Sequence, residues 1–178
     1  MSMNRTQITA VLMLTARFAL RIGLSGYLSL RFYERSLQAQ FPVEPFVQGN
    51  RAARTVFIGD SRVAQWAEHD RLDGLYVGFP GATASQITAA ARVFNWPTDI
   101  GTIVIQAGVN DMRILGMRPE LRDSRVAATH GDLVALVEAC LKHTREVILL
   151  RVLPVGDPQL IRMIVWSNAS ADGVAQLN

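Results

Sequence analysis

A single cysteine, Cys140, is all the thiol chemistry the chain possesses. One cysteine cannot build an internal disulfide framework, and no Cys or His cluster has metal-ligand spacing, so no metal is expected. Cys140 falls on an apolar helical stripe and reads as a packed core thiol. Charge of one sign is also scarce. Lys and Arg number 18 against 15 for Asp and Glu, a net +3, and nearly all the positive charge is arginine. No stretch interleaves basic with aromatic residues, so nucleic acid is not an expected partner. Missing too are a Gly-x-Gly-x-x-Gly and a phosphate-cradling Gly-Lys-Ser/Thr after the first strand. That argues against a nucleotide-binding domain and leaves no cofactor to expect. What remains is 178 residues, 49% hydrophobic and 19% charged, enough for one globular domain with a sizeable core.

The longest apolar run lies at the amino end. Residues 8–30 are rich in Leu, Ile, Val, Ala and Gly, flanked by Arg5, Arg31 and Arg35, and about 20 such residues span a bilayer. Arg17 and Arg21 interrupt the run. Each costs roughly 2.5–3.5 kcal/mol at the centre of a spanning helix, although their spacing of four puts them on one face. Three forms stay open: a tilted or partnered anchor, a signal sequence with its apolar core at 8–16, and an amphipathic helix on a membrane or on the domain itself. Membrane-associated or extracytoplasmic placement is the expectation, with a cytoplasmic protein as the alternative. Residues 1–36 therefore form one segment and 37–53, with Pro42, Pro45 and Gly49, a linker. Residues 54–178 form the main domain.

Within that domain four short apolar runs alternate with helical patterns. Thr55–Ile58, Leu75–Phe79, Thr102–Ala107 and Glu146–Leu153 read as strands, the first and third buried, each punctuated by Gly or Pro. Helices are expected after Ser61, over Ala82–Asn95, over Ser124–His143 and in the last residues, and Asn110–Asp123 reads as a polar loop. The alternation predicts α/β architecture, a mostly parallel sheet with helices on both faces. Right-handed crossovers would gather the strand ends carrying Ser61, Gly81 and Asn110 at one edge.

Those strand ends carry the chemistry. The first is Gly59-Asp60-Ser61, the second Gly78-Phe79-Pro80-Gly81-Ala82-Thr83, the third Gly108-Val109-Asn110-Asp111. Ser61 opens a helix at the carboxyl end of a strand, where α/β sheets keep their sites. Taken singly, Asp60 or Ser61 reads as a helix cap, and Gly81 and Asn110 read as turn residues. Taken together and in this order, the three motifs resemble the SGNH/GDSL hydrolase family, serine esterases and lipases on a flavodoxin-like three-layer α/β/α fold. The resemblance covers roughly residues 54–156. It implies Ser61 as nucleophile, with an oxyanion hole from the backbone N–H groups of Ser61 and Gly81 and the side-chain amide of Asn110. Neutral donors aimed at a developing oxyanion are what acyl transfer requires.

Two departures stand out. Arg62 replaces the leucine of the namesake motif, a position without a chemical role. The family's closing Asp-x-x-His, whose histidine takes the serine proton, does not occur after Asn110. Asp172-Gly173-Val174-Ala175 keeps the aspartate and the spacing but has alanine for the base. The favoured reading is a chain cut before the true motif, lacking the family's last strand and helix; the other is an inactivated remnant. His69 lies eight residues beyond Ser61, about 12 Å along the same helix at 1.5 Å per residue. His130 and His143 lie on or beside a helix on the sheet's face. The expectation is an ester hydrolase acting on acetylated glycans or acyl lipids; the rival is a membrane-tethered binding protein with a degenerate cleft. Arg113, Arg118 and Arg122 could meet an anionic substrate or simply be solvated.

Overall fold

The computed structural model describes residues 15, 18–29, 31–32, 35, 44–69, 72–153 and 169–178. The chain divides into two units, Met1–Gln38 and Ala39–Asn178. In the first, residues 18–29 are helical (α1), with Phe18, Leu20, Ile22, Leu24, Tyr27 and Leu28 all exposed. Among the described residues no helix is long and apolar enough to cross a membrane. Most of the apolar core expected at 8–16 lies outside the described residues.

The second unit is built on five strands: β1 (Phe46–Gly49), β2 (Thr55–Gly59), β3 (Leu75–Gly78), β4 (Thr102–Gln106) and β5 (Glu146–Leu149). They lie in the order β1-β3-β2-β4-β5. The four expected runs pair in parallel, and β1 is antiparallel to β3. β1 falls in the stretch expected to be a linker. Its four residues cover the outer edge of β3 while staying largely exposed themselves, which is why no buried apolar run marks it.

Strand side chains alternate between the two faces. Val56, Ile58, Ile103 and Ile105 share a core with Ile87 and Ala91 of α3 (Ala84–Ala91) and with Leu133, Leu136 and Cys140 of α5 (Arg122–Cys140). On the opposite face Phe57 and Tyr76, their rings stacked 4.7 Å apart, meet Val63 of α2 (Ser61–His69). Val56, Ile58, Leu75, Val77, Ile103 and Ile105 are wholly buried. Each contributes about 1.5–3 kcal/mol relative to an exposed side chain, so the strongest packing lies directly beneath the strand ends. The fold is a flavodoxin-like three-layer α/β/α sandwich.

The stretch expected as a polar loop, Asn110–Asp123, is not a loop. It holds a short helix, α4 (Val109–Met112), and two 3-10 turns, Arg113–Gly116 and Pro119–Leu121. Met112, Ile114 and Leu115 are completely buried and too irregularly spaced to give a helical stripe. A last helix, α6 (Ala169–Leu177), packs against α4 and α5, with Gly173 pressed onto Leu115 and Met112.

From β2 the chain crosses to β3 on one side, then returns past β2 to reach β4 on the other. The reversal leaves a crevice between the carboxyl ends of β2 and β4, and ligands of open α/β sheets bind at such switch points.

Candidate active site

Asp60 and Ser61 stand at that crevice and divide the work between them. Asp60 caps α2: its Oδ1 accepts the Arg62 N–H at 2.9 Å, and its carbonyl accepts those of Val63 (3.1 Å) and Ala64 (3.4 Å). Its own N–H goes to the Gln106 carbonyl of β4 at 3.1 Å. Burial pushes the Asp60 carboxyl up, against the Arg62 amide and charge, which pull it down. With Asp60 as cap, the Ser61 hydroxyl is not needed for that purpose. Half-buried at the first position of α2, Ser61 makes no hydrogen bond to any described residue through its hydroxyl or its N–H. A first-turn N–H has no partner inside its helix and is available to a ligand.

The helix that carries Ser61 sits unusually close to the sheet. A Cβ on Gly59 would lie 2.8 Å from Val63 Cγ2 and 1.9 Å from the Gln106 carbonyl oxygen, and one on Gly78 would lie 2.6 Å from the Ala64 nitrogen. Two glycines thus let α2 lie directly on β2 and β3, and that contact fixes where its first residue stands.

The second motif meets the first through the Phe79 N–H, which donates to the Gly59 carbonyl at 2.7 Å. Beyond it the chain turns at Gly81 with φ +77°, a left-handed conformation that favours glycine. A Cβ there would touch nothing within 4 Å. The glycine is thus required by backbone conformation, with open space where a close approach of a neighbour would otherwise explain it. The Gly81 N–H also has no partner among the described residues.

The third motif clasps the second. Asn110, 5% exposed, donates from Nδ2 to the Ala82 carbonyl at 2.9 Å. A side-chain amide has two N–H groups; the second is uncommitted among the described residues. The neighbouring Asp111, 2% exposed, accepts the Ala84 N–H at the start of α3, at 3.0 Å on Oδ2 and 3.3 Å on Oδ1. Burial pushes its carboxyl up to about 7, with Asp132 adding and the Ala84 amide and Arg125 opposing. Ser61, Gly81 and Asn110 are therefore carried by three loops that bond to one another at one edge. Asp111, to which the sequence assigned no part, belongs to the same network. Its signal was only its place beside Asn110.

The remaining candidates lie elsewhere. His69 ends α2, exposed; His130 is exposed on α5; His143 stacks on Trp96, ring centroids 4.9 Å apart. None of the three stands at the crevice. Asp172 and Ala175 occupy exposed positions of α6. Arg118 pairs with Glu120, and Arg122 with Asp123 at 3.7 Å, which commits both to surface ion pairs. Burial pushes the Cys140 thiol up to about 12, as a core position implies. At its fourth strand end, Arg62 Nη1 donates to the Leu153 carbonyl at 3.0 Å. The Asn178 amide pairs with both backbone groups of Val152, at 2.7 and 2.9 Å.

No protein-family model and no curated protein matches the chain. Solved structures do. One, from Streptococcus pneumoniae and described provisionally as a platelet activating factor, is 20% identical with a TM-score of 0.51, over 89% of this chain and 73% of that one. Another, from Bacteroides fragilis and described provisionally as an acylhydrolase, is 21% identical with a TM-score of 0.50, over 81% of this chain and 67% of that one. What these proteins share with the chain is the fold.

Proposed function

We propose that the chain is a serine hydrolase of the SGNH kind, cleaving an acyl or acetyl ester at the crevice between β2 and β4. One observation carries the reading: among the described residues Ser61 offers an unengaged hydroxyl while the N–H groups of Ser61 and Gly81 and the second amide hydrogen of Asn110 are left without partners, on loops bonded to one another. The three donors differ in burial: Asn110 is buried, where polar groups are almost always paired, whereas Ser61 is half-buried and Gly81 exposed, so their N–H groups are open to a ligand. Three at one sheet edge suit an oxygen that becomes anionic only during reaction. The description of one similar structure as an acylhydrolase agrees with this.

In the mechanism, Ser61 Oγ attacks the ester carbonyl and the three donors take up the charge on its oxygen. The alcohol then leaves, and water hydrolyses the acyl-serine. A base has to accept the Ser61 proton, and with no histidine at the crevice these residues supply nucleophile and donors without it. That same observation favours the competing reading, a cleft that binds an ester and does not turn it over.

Substrate class follows from placement. The exposed Phe18, Leu20, Ile22, Leu24, Tyr27 and Leu28 of α1 suit a membrane surface, and a tethered domain would meet acetylated glycans or acyl lipids there. Flotation with lipid vesicles tests this: the chain should rise with the vesicles, and a variant beginning at Ala39 should not.

The nucleophile itself is tested by an activated phosphonate in a buffer that supplies imidazole as base. Ser61 should be the modified residue, and Asn110→Ala should slow modification by about 10²–10³, the usual effect of losing one oxyanion donor. Modification spread over other serines, or none in a folded sample, would refute the hydrolase and leave the binding cleft.

A further inference from the structure

Asp111 is a buried carboxylate with no place in the chemistry just described. It lies beside a proposed donor, and both its oxygens are turned toward a single backbone N–H, that of Ala84. Ala84 is the first residue of α3, and Thr83 before it is held by its own reciprocal cap: Thr83 Oγ1 accepts from the Gln86 N–H, and the Gln86 side chain accepts from the Thr83 N–H at 2.9 Å. That reciprocal cap leaves the first-turn N–H of Ala84 to Asp111. What the Asp111 bond adds is a tie between α4 and the chain two residues beyond Ala82, whose carbonyl Asn110 already holds. The two ties lie on consecutive residues of α4 and grip positions 82 and 84. Between them and Phe79, fixed to Gly59 at 2.7 Å, sits the turn at Gly81, closed by the Ala82 N–H on the Phe79 carbonyl at 3.1 Å, a unit whose direction is set by what holds its two ends.

We propose that Asp111 is a positioning residue: with Asn110 it forms a two-point clasp that sets the direction in which the Gly81 N–H faces the crevice. The proposal rests on the hydrolase reading for the meaning of that direction, and on the hydrogen bonds alone for the clasp. A donor must lie within hydrogen-bonding distance of the place the oxyanion will occupy, and a misplacement of about 1 Å costs about 10²-fold in rate. A closed turn keeps its own shape but takes its direction from its attachments, and the clasp holds the end at Ala82 and Ala84.

Charge enters through the surroundings of the clasp. Of the elements packed on α4, α5 supplies the charged groups that act on Asp111, Asp132 raising its affinity for a proton and Arg125 lowering it. The turn Arg113–Gly116 carries Arg113, and α6 carries Asp172 on its exposed side. The carboxyl, pushed up to about 7, changes charge in an accessible range, and the N–H it accepts reports that change directly.

The test is a backbone amide spectrum of this chain. In the wild type the Ala84 amide should shift with pH, with a midpoint of about 7, and this requires no mutation. In Asp111→Ala the amides of Ala84, Ala82 and Gly81 should move while those of Val56 and Ile103, at the sheet centre, stay. Phosphonate modification of Ser61 should slow by about 10²-fold. Asp111→Asn keeps an acceptor oxygen, so it should restore the Gly81 amide and the modification rate but abolish the Ala84 titration. A Gly81 amide unmoved in Asp111→Ala overturns the clasp. If Ser61 resists modification in the wild type while Gly81 still moves in Asp111→Ala, the hydrolase reading falls and the clasp stands.

Discussion

At the scale of single residues, the site is defined by which polar groups are used and which are left over. Asp60 satisfies the first turn of α2, so a serine that could have been a cap is released from capping. Asp111 carries a different consequence. Its carboxyl sits at about 7 in the folded chain against an ordinary 3.8. Near pH 5 the folded state therefore holds a proton that the unfolded state has lost. Its contribution to stability is complete below about 4 and is lost as pH rises through about 7, on the order of a few kcal/mol in all. Asp111→Asn removes that dependence, so urea unfolding at pH 5 and pH 8 should differ less in the variant than in the wild type. Gly81→Ala is a sharper probe of conformation. Its Cβ meets no protein atom, yet at φ +77° it should cost about 1–2 kcal/mol, measured by the denaturation midpoint, with slower modification of Ser61.

Elements were legible where burial is regular and illegible where it is not. The parallel strands announce themselves as short apolar runs, and β2 and β3 are almost wholly buried, while β5 at the edge is apolar in sequence but largely exposed. α5 shows its core stripe at Leu133, Leu136 and Cys140. β1 escapes because it is a short, exposed edge, and α4 with its two turns escapes because Met112, Ile114 and Leu115 are buried without a helical period. Two glycines, one at the end of β3 beneath α2 and one within α5, make opposite predictions. Gly78→Ala would set a Cβ 2.6 Å from the Ala64 nitrogen and should destabilise by about 1–3 kcal/mol while displacing α2. Gly131, exposed within α5, has nothing within 4 Å of a Cβ. Gly131→Ala should stabilise by about 0.5–1 kcal/mol. Thermal or urea unfolding of the pair checks both signs.

At the scale of the whole molecule, strand order explains why three short motifs far apart in sequence become one site. The reversal between β3 and β4 puts the ends of β2 and β4 side by side, over the buried Ile58 and Ile105. That Ser61, Gly81 and Asn110 would share one sheet edge was readable, because motifs at strand ends converge in any sheet of this order. The bond from Asp111 of α4 to Ala84 of α3 was not, since no spacing reveals it. The amino-terminal apolar run gave a membrane-seeking expectation from composition alone, and its form depends on surroundings the sequence does not contain. The central claim remains that Ser61 is a nucleophile facing prepared donors. It is tested most directly by hydrolysis of a short aryl ester, measured side by side for the wild type and Ser61→Ala with imidazole supplied as the base and its own reaction subtracted. Turnover should rise with imidazole in the wild type and be absent from Ser61→Ala. Equal rates for the two proteins at every imidazole concentration would contradict it.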